Sequence, residues 1–126
     1  NDVGVILVDT SIWIDHLRTG NAELIELLRN NLVLAHPWVT GELALGHLSR
    51  RSEILGLLHN LPQAVVATDR EVLTLIENRH LSGQGIGYVD AQLLAATLLT
   101  SSARFWTRDK RLAATAGKLR IARDPG

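Results

Sequence analysis

Apolar residues follow two rhythms along this chain: short continuous runs, and longer stretches that repeat every three to four positions. Val5-Ile6-Leu7-Val8, Leu32-Val33-Leu34-Ala35, Ala64-Val65-Val66-Ala67, Arg104-Phe105-Trp106-Thr107 and Leu119 to Ala122 read as strands. The first is β-branched and unbroken, as in a parallel strand covered on both faces. Helical patterns lie between them. Asp9-Thr10-Ser11 is a start signal for Ile12-Trp13-Ile14 to Leu17, and Asn21 caps a helix with Leu24, Ile25, Leu27 and Leu28 at helical spacing. Pro37 opens a helix toward Ser49, and another spans Ser52 to His59. Thr68-Asp69-Arg70-Glu71 matches a capping box ahead of Val72, Leu73, Leu75 and Ile76. The loop Ser82 to Gly87 precedes the most apolar helix, Tyr88 to Leu99, and a short helix follows from Asp109 to Ala116. Strands alternating with helices predict an α/β fold around a small, mainly parallel sheet. No repeat or linker interrupts the pattern, so residues 1–126 read as one domain.

Four acids break this pattern. Asp9 closes the first strand, Glu42 interrupts the third helix, Asp90 opens the most apolar helix, and Asp109 follows the strand at 104–107. A carboxylate in an apolar segment loses several kcal/mol of solvation, as an order of magnitude, unless a positive group compensates it. No lysine or arginine accompanies the first three in their own segments. A shared divalent cation is the natural compensator. In open α/β sheets ligands gather beyond the carboxyl ends of the strands, where Asp9 and Asp109 both fall. Glu42 shares a helical stripe with Trp38 and Leu45 and is expected to turn toward the core; Asp90 shares one with Leu93, Leu94 and Thr97. The competing readings are that Asp9 and Asp109 merely cap the following helices and that Asp90 is an ordinary first-turn charge. Asp15, Glu23, Glu26, Glu53, Asp69, Glu71 and Glu77 read as solvated, and Trp13, Trp38 and Trp106 as core.

Composition narrows the chemistry. The chain has no cysteine, which removes disulfides, thiolate metal sites and a cysteine nucleophile, and fits a reducing cytoplasm. Its five histidines form no ligand pair, so hard oxygen donors favour Mg²⁺ or Mn²⁺ over Zn²⁺. The apolar run from Val3 to Val8 is too short for a signal segment or membrane span. The chain starts at Asn1 and has no methionine, so its native start is expected to be missing. Net charge is zero but uneven: residues 1–103 hold 6 basic and 11 acidic side chains, residues 104–126 hold 7 and 2. A basic tail joined to acidic clusters suits a polyanion cut at a metal site. Arg108, Lys110 and Arg111 are the candidate contacts to that polyanion.

The ordered segments Val8-Asp9-Thr10-Ser11, Glu42-Leu43, Tyr88-Val89-Asp90-Ala91 and Thr107-Arg108-Asp109 resemble the PIN-domain ribonucleases, most closely the VapC-type toxins of prokaryotic toxin–antitoxin pairs. The resemblance covers essentially the whole chain. It implies a three-layer α/β/α sandwich and an endoribonuclease that hydrolyses RNA with Mg²⁺ or Mn²⁺. Asp9, Glu42, Asp90 and Asp109 would bind metal, and Thr10, Ser11 and Thr107 would supply supporting hydroxyls. It further implies a homodimer, a tRNA or rRNA target, and an antitoxin that lays its C-terminal segment across the cleft. Two rival readings stay open: a non-catalytic PIN-like binding module, and a receiver-like domain that accepts phosphoryl groups on aspartate.

Overall fold

The computed structural model describes residues 4–123; Val3, the start of the chain and Asp124 lie outside the described residues. Three strands form one parallel sheet in the order β2-β1-β3, with β1 at Val5–Val8, β2 at Val33–Leu34 and β3 at Ala103–Trp106. Ile6 pairs with Val33 on one side and Arg104 on the other. The β1 residues Leu7 and Val8 are fully buried, which accounts for the unbroken apolar run: helices cover both faces of the central strand. The result is a three-layer α/β/α sandwich.

Helices α1 (Thr10–Thr19) and α2 (Ala22–Arg29) connect β1 to β2. Helices α3 (Pro37–Leu45), α4 (Arg51–Asn60), α5 (Asp69–Asn78) and α6 (Tyr88–Leu99) lead from β2 to β3, and α7 (Lys110–Lys118) follows. Because the chain leaves β1 toward β2 and returns on its other flank as β3, the carboxyl end of β1 is the switch point at which open α/β sheets hold their ligands. The expected caps are present: Asn21 Oδ1 accepts from Leu24 N at 3.0 Å, and Thr68 and Glu71 bond reciprocally across the start of α5.

Two expected strands do not form as ladders. Ala64 to Ala67 forms no bridge, the one nearby joining Ala35 to Gln63 just before it, and the segment 119–122 contributes one, Phe105 to Ala122. Each lies at a sheet edge, where one side of the backbone stays unpaired and nothing extends the pairing. The third helix also stops at Leu45, short of Ser49, with Gly46 as its C-cap.

His36 caps α3 in an unusual way. Its Nδ1 accepts the Trp38 backbone N–H at 3.0 Å, while the ring is fully buried and Nε2 has no hydrogen-bond partner. Burial lowers its pKa from the ordinary 6.5. The folded state thus holds the neutral ring, and on acidification the unfolded chain takes the proton first. Stability is complete above the unfolded pKa and falls as pH drops below it. We expect the melting temperature to fall between about pH 7.5 and pH 5, and to fall less in His36→Asn, whose amide oxygen can still cap. Thermal melts across that range compare the slopes; equal slopes would dismiss His36 as the source.

Candidate active site

Asp9 follows β1 directly and is held by both neighbouring elements. Its N–H donates to the Trp106 carbonyl at 2.9 Å, continuing the β1–β3 ladder one step beyond the strand. Its side chain makes no cap to α1, which removes the competing reading. Instead Oδ2 accepts from Ser11 Oγ at 2.8 Å and from Thr107 Oγ1 at 2.7 Å. Asp9 is only 8% exposed, so these two hydroxyls replace water on one oxygen and fix its direction. Ser11 Oγ also accepts from Arg108 N at 3.1 Å, and Thr107 Oγ1 from Asp109 N at 3.1 Å. The hydroxyls thereby stitch the start of α1 to the β3–α7 connection.

Asp90 and Asp109 complete the inner group. Asp90 Oδ2 accepts the Gly87 N–H at 3.0 Å at the start of α6. Burial raises the Asp90 pKa above 3.8, against the lowering effect of that bond, and the charges of Asp9 and Asp109 raise it further. Asp90 therefore lies within electrostatic reach of the other two carboxylates. Asp109 also caps α7: Oδ1 accepts from Arg111 N at 2.9 Å and Leu112 N at 3.1 Å, leaving Oδ2 without a hydrogen-bond donor among the described residues. The capping reading is correct for this acid and does not use up its second oxygen. Asp109→Ala should cost about 1 kcal/mol by removing the cap. Asp109→Asn should keep most of that stability while losing the charge. Chemical denaturation of both variants checks the ordering.

Glu42 does not face the core. Val39 and Leu43, one turn apart, are buried, and the rotation that buries them leaves Glu42 exposed and Leu45 91% exposed. Glu42 Oε1 accepts from Thr10 Oγ1 at 2.6 Å, so it reaches the site through the residue after Asp9. Trp38 is likewise only partly buried, and Trp106 carries the Arg123 guanidinium 4.5 Å from its ring centroid; only Trp13 is fully buried core.

No Lys or Arg forms an ion pair with Asp9, Glu42, Asp90 or Asp109 among the described residues. Nor are three of them gathered into a ready-made cage there. The donor set is all oxygen, which fits a hard divalent cation.

The three basic candidates differ in what they touch. Arg108 turns back to Asp15 on α1, with Nη1 and Oδ1 2.6 Å apart, and still keeps 59% of its side chain exposed. Arg111 lies across the glycine loop: at Gly85, whose φ is +78°, an added Cβ would meet its Nη1 at 2.8 Å. Lys118 Nζ donates to Gln84 Oε1 of the same loop at 3.2 Å, and Lys110 is exposed. Asp15 and Asp69 hold specific partners instead of merely facing water, and no spacing rule in the sequence distinguished them.

The PIN domain family model matches residues 6–118. The chain is also similar to Ribonuclease VapC32 from two strains of Mycobacterium tuberculosis. Identity is 50% over 118 residues in each case, covering 94% of this chain and 95% of each relative.

Proposed function

The chain belongs to the PIN domain family, and on that premise we propose that it is a Mg²⁺- or Mn²⁺-dependent endoribonuclease, the toxin of a toxin–antitoxin pair. In this reading residues 1–126 act as one nuclease unit in the cytoplasm; among the described residues no helix is long and apolar enough to cross a membrane. The observation that carries the proposal is the set of Asp9, Asp90 and Asp109 near the carboxyl ends of β1 and β3, with Asp90 under the charge of the other two and no ion pair to any of them among the described residues. A receiver-like domain needs a lysine close to its aspartate; among the described residues no lysine pairs with these acids.

Asp9, Asp90 and Asp109 would hold the cation through the oxygens not engaged by hydroxyls or amides. When bound, such a cation lowers the pKa of water in its shell and steadies the departing oxygen. Ser11 and Thr107 keep the Asp9 carboxylate from rotating. Thr10 keeps Glu42 aimed across the start of α1, where its free oxygen can orient a water toward phosphorus. Arg111 and Lys110 at the rim would meet the RNA backbone, with Arg108 free to join them on leaving Asp15.

Beside Glu42 a groove of about 420 Å³ runs between α1 and α3, lined by Ile14, Leu17 and Leu43 with Arg18 at its edge. It supports an antitoxin segment docking within reach of the acids. The exposed Leu73, Leu98 and Leu99 on α5 and α6 support a second copy of the chain packing there. Incubation of total cellular RNA with the purified protein tests the central reading. Defined cut ends should appear with Mg²⁺ or Mn²⁺ and vanish with EDTA. Cleavage that persists in EDTA would overturn the metal dependence.

A further inference from the structure

The cation-centred chemistry leaves an aromatic group at the rim unused. Tyr88 is the first residue of α6, two positions before Asp90, and stays 39% exposed. Its ring meets Trp38 at the start of α3, with 6.1 Å between centroids and a 56° tilt. Its hydroxyl donates to Asp69 Oδ1, and Gln92 Nε2 lies 3.3 Å from the phenolic oxygen and 3.4 Å from the same carboxylate oxygen. Gln92 is itself buried, at 2% exposure. An exposed ring is therefore held in one orientation by a neighbouring ring and a partly buried polar network. Solvent-facing tyrosines that serve only solubility do not need such fixing.

Tyr88 also lines a recess of about 180 Å³ whose walls include Ile76, Leu81, Ile86 and Ala91, with backbone from Gly83 and Gly87. Pockets for drug-sized ligands run from about 300 Å³ upward. This one suits a single flat ring system. Its position is specific: Gly87, one of the residues that line it, donates its N–H to Asp90 Oδ2 at 3.0 Å, so the recess and that carboxylate are joined through one residue. In RNA only an unpaired, unstacked base has a face free to lie on an aromatic side chain.

We propose that Tyr88 and the recess beside it form a subsite for one unpaired nucleobase adjacent to the scissile phosphate, with Trp38 as the buttress of the ring. The proposal rests on the nuclease reading above. It confines cleavage to loops, bulges and single strands, because a base locked in a helix cannot enter.

The test separates binding from chemistry. In an Asp9→Asn background in EDTA, affinity is measured for single-stranded oligonucleotides spanning a mapped cut, each with one position made abasic. One abasic position should weaken binding by roughly tenfold, the scale of a single base–aromatic stack. Tyr88→Leu should weaken intact RNA to the same degree and lose nothing further with that abasic RNA, since both changes delete one contact. Tyr88→Phe keeps the ring and should stay within a few-fold of the parent. Additive losses, a Phe variant as weak as the Leu variant, or equal affinity for every abasic RNA would each overturn the subsite. Thermal melts confirm that the Leu variant is folded. Failure of the nuclease reading shows separately, as absence of metal-dependent cleavage by the unsubstituted protein.

Discussion

Asp9→Asn is expected to lower RNA cleavage by at least on the order of 100-fold, the scale on which one preorganised electrostatic group acts in a shielded site. The substitution removes one negative charge and almost no volume. The asparagine oxygen can still accept from Ser11 and Thr107, and the backbone bond to Trp106 does not involve the side chain. The fold should persist, with a melting temperature close to that of the parent. Steady-state cleavage of a mapped oligonucleotide, paired with thermal denaturation, checks both halves. Full activity in a folded Asp9→Asn protein would remove Asp9 from the chemistry and, with it, the carboxylate-centred mechanism.

The second large effect concerns stability. Asp90→Asn should melt a few degrees above the parent in EDTA at neutral pH while losing metal-dependent cleavage. The Asp90 pKa is raised by burial and by its two acidic neighbours, so the unfolded carboxyl ionises first as pH rises. Its ionisation then costs folding free energy from the unfolded pKa upward, and that cost persists at neutrality. Asparagine removes the charge and keeps an acceptor for the Gly87 N–H. Divalent cation reverses the order. Mn²⁺ at about 100 times its dissociation constant stabilises a one-site protein by about 2.7 kcal/mol, roughly 5–15 °C for a domain of this size. That gain should appear in the parent and largely vanish in Asp90→Asn. Equal shifts in both proteins would mean that the cation binds elsewhere.

Much of the architecture was legible in local pattern. The unbroken apolar run at 5–8, the Asn21 cap, the capping box at 68–71 and the apolar helix at 88–99 each carry a strong local signal, and each appears where expected. The helix at 37–45 shows the limit. Trp38 with Glu42 and Val39 with Leu43 have the same one-turn spacing, so periodicity alone could not say which pair faces inward. Tertiary packing decided for Val39 and Leu43. The runs at 64–67 and 119–122 have strand composition, but strand pairing is non-local: one bridge stops at Gln63, just short of the first run, and a single one reaches the second at Ala122.

The candidate site divides the same way. Acids that end strands or start helices stand out in a sequence because they interrupt apolar runs, and the position of Asp9 and Asp109 followed from that. The hydroxyl of Thr107, 98 positions away from Asp9, was placed through family likeness, since no spacing rule spans such a distance. The pairing of Tyr88 with Asp69 and of Arg108 with Asp15 left no trace in the order of residues, because each joins elements that meet only in the folded chain.

Asp9, Asp90 and Asp109 all sit at helix N-termini, those of α1, α6 and α7. The amide ends of three helices therefore already supply fractional positive charge to the acids. A cation bound there under the proposed reading would use the oxygens these amides leave free, beside charge that the helices already partly offset. Under the reading proposed here, the ion would be held loosely and exchanged freely. The protein's working state would then follow the free divalent concentration around it, as a rheostat does, and purification alone would suffice to switch it off.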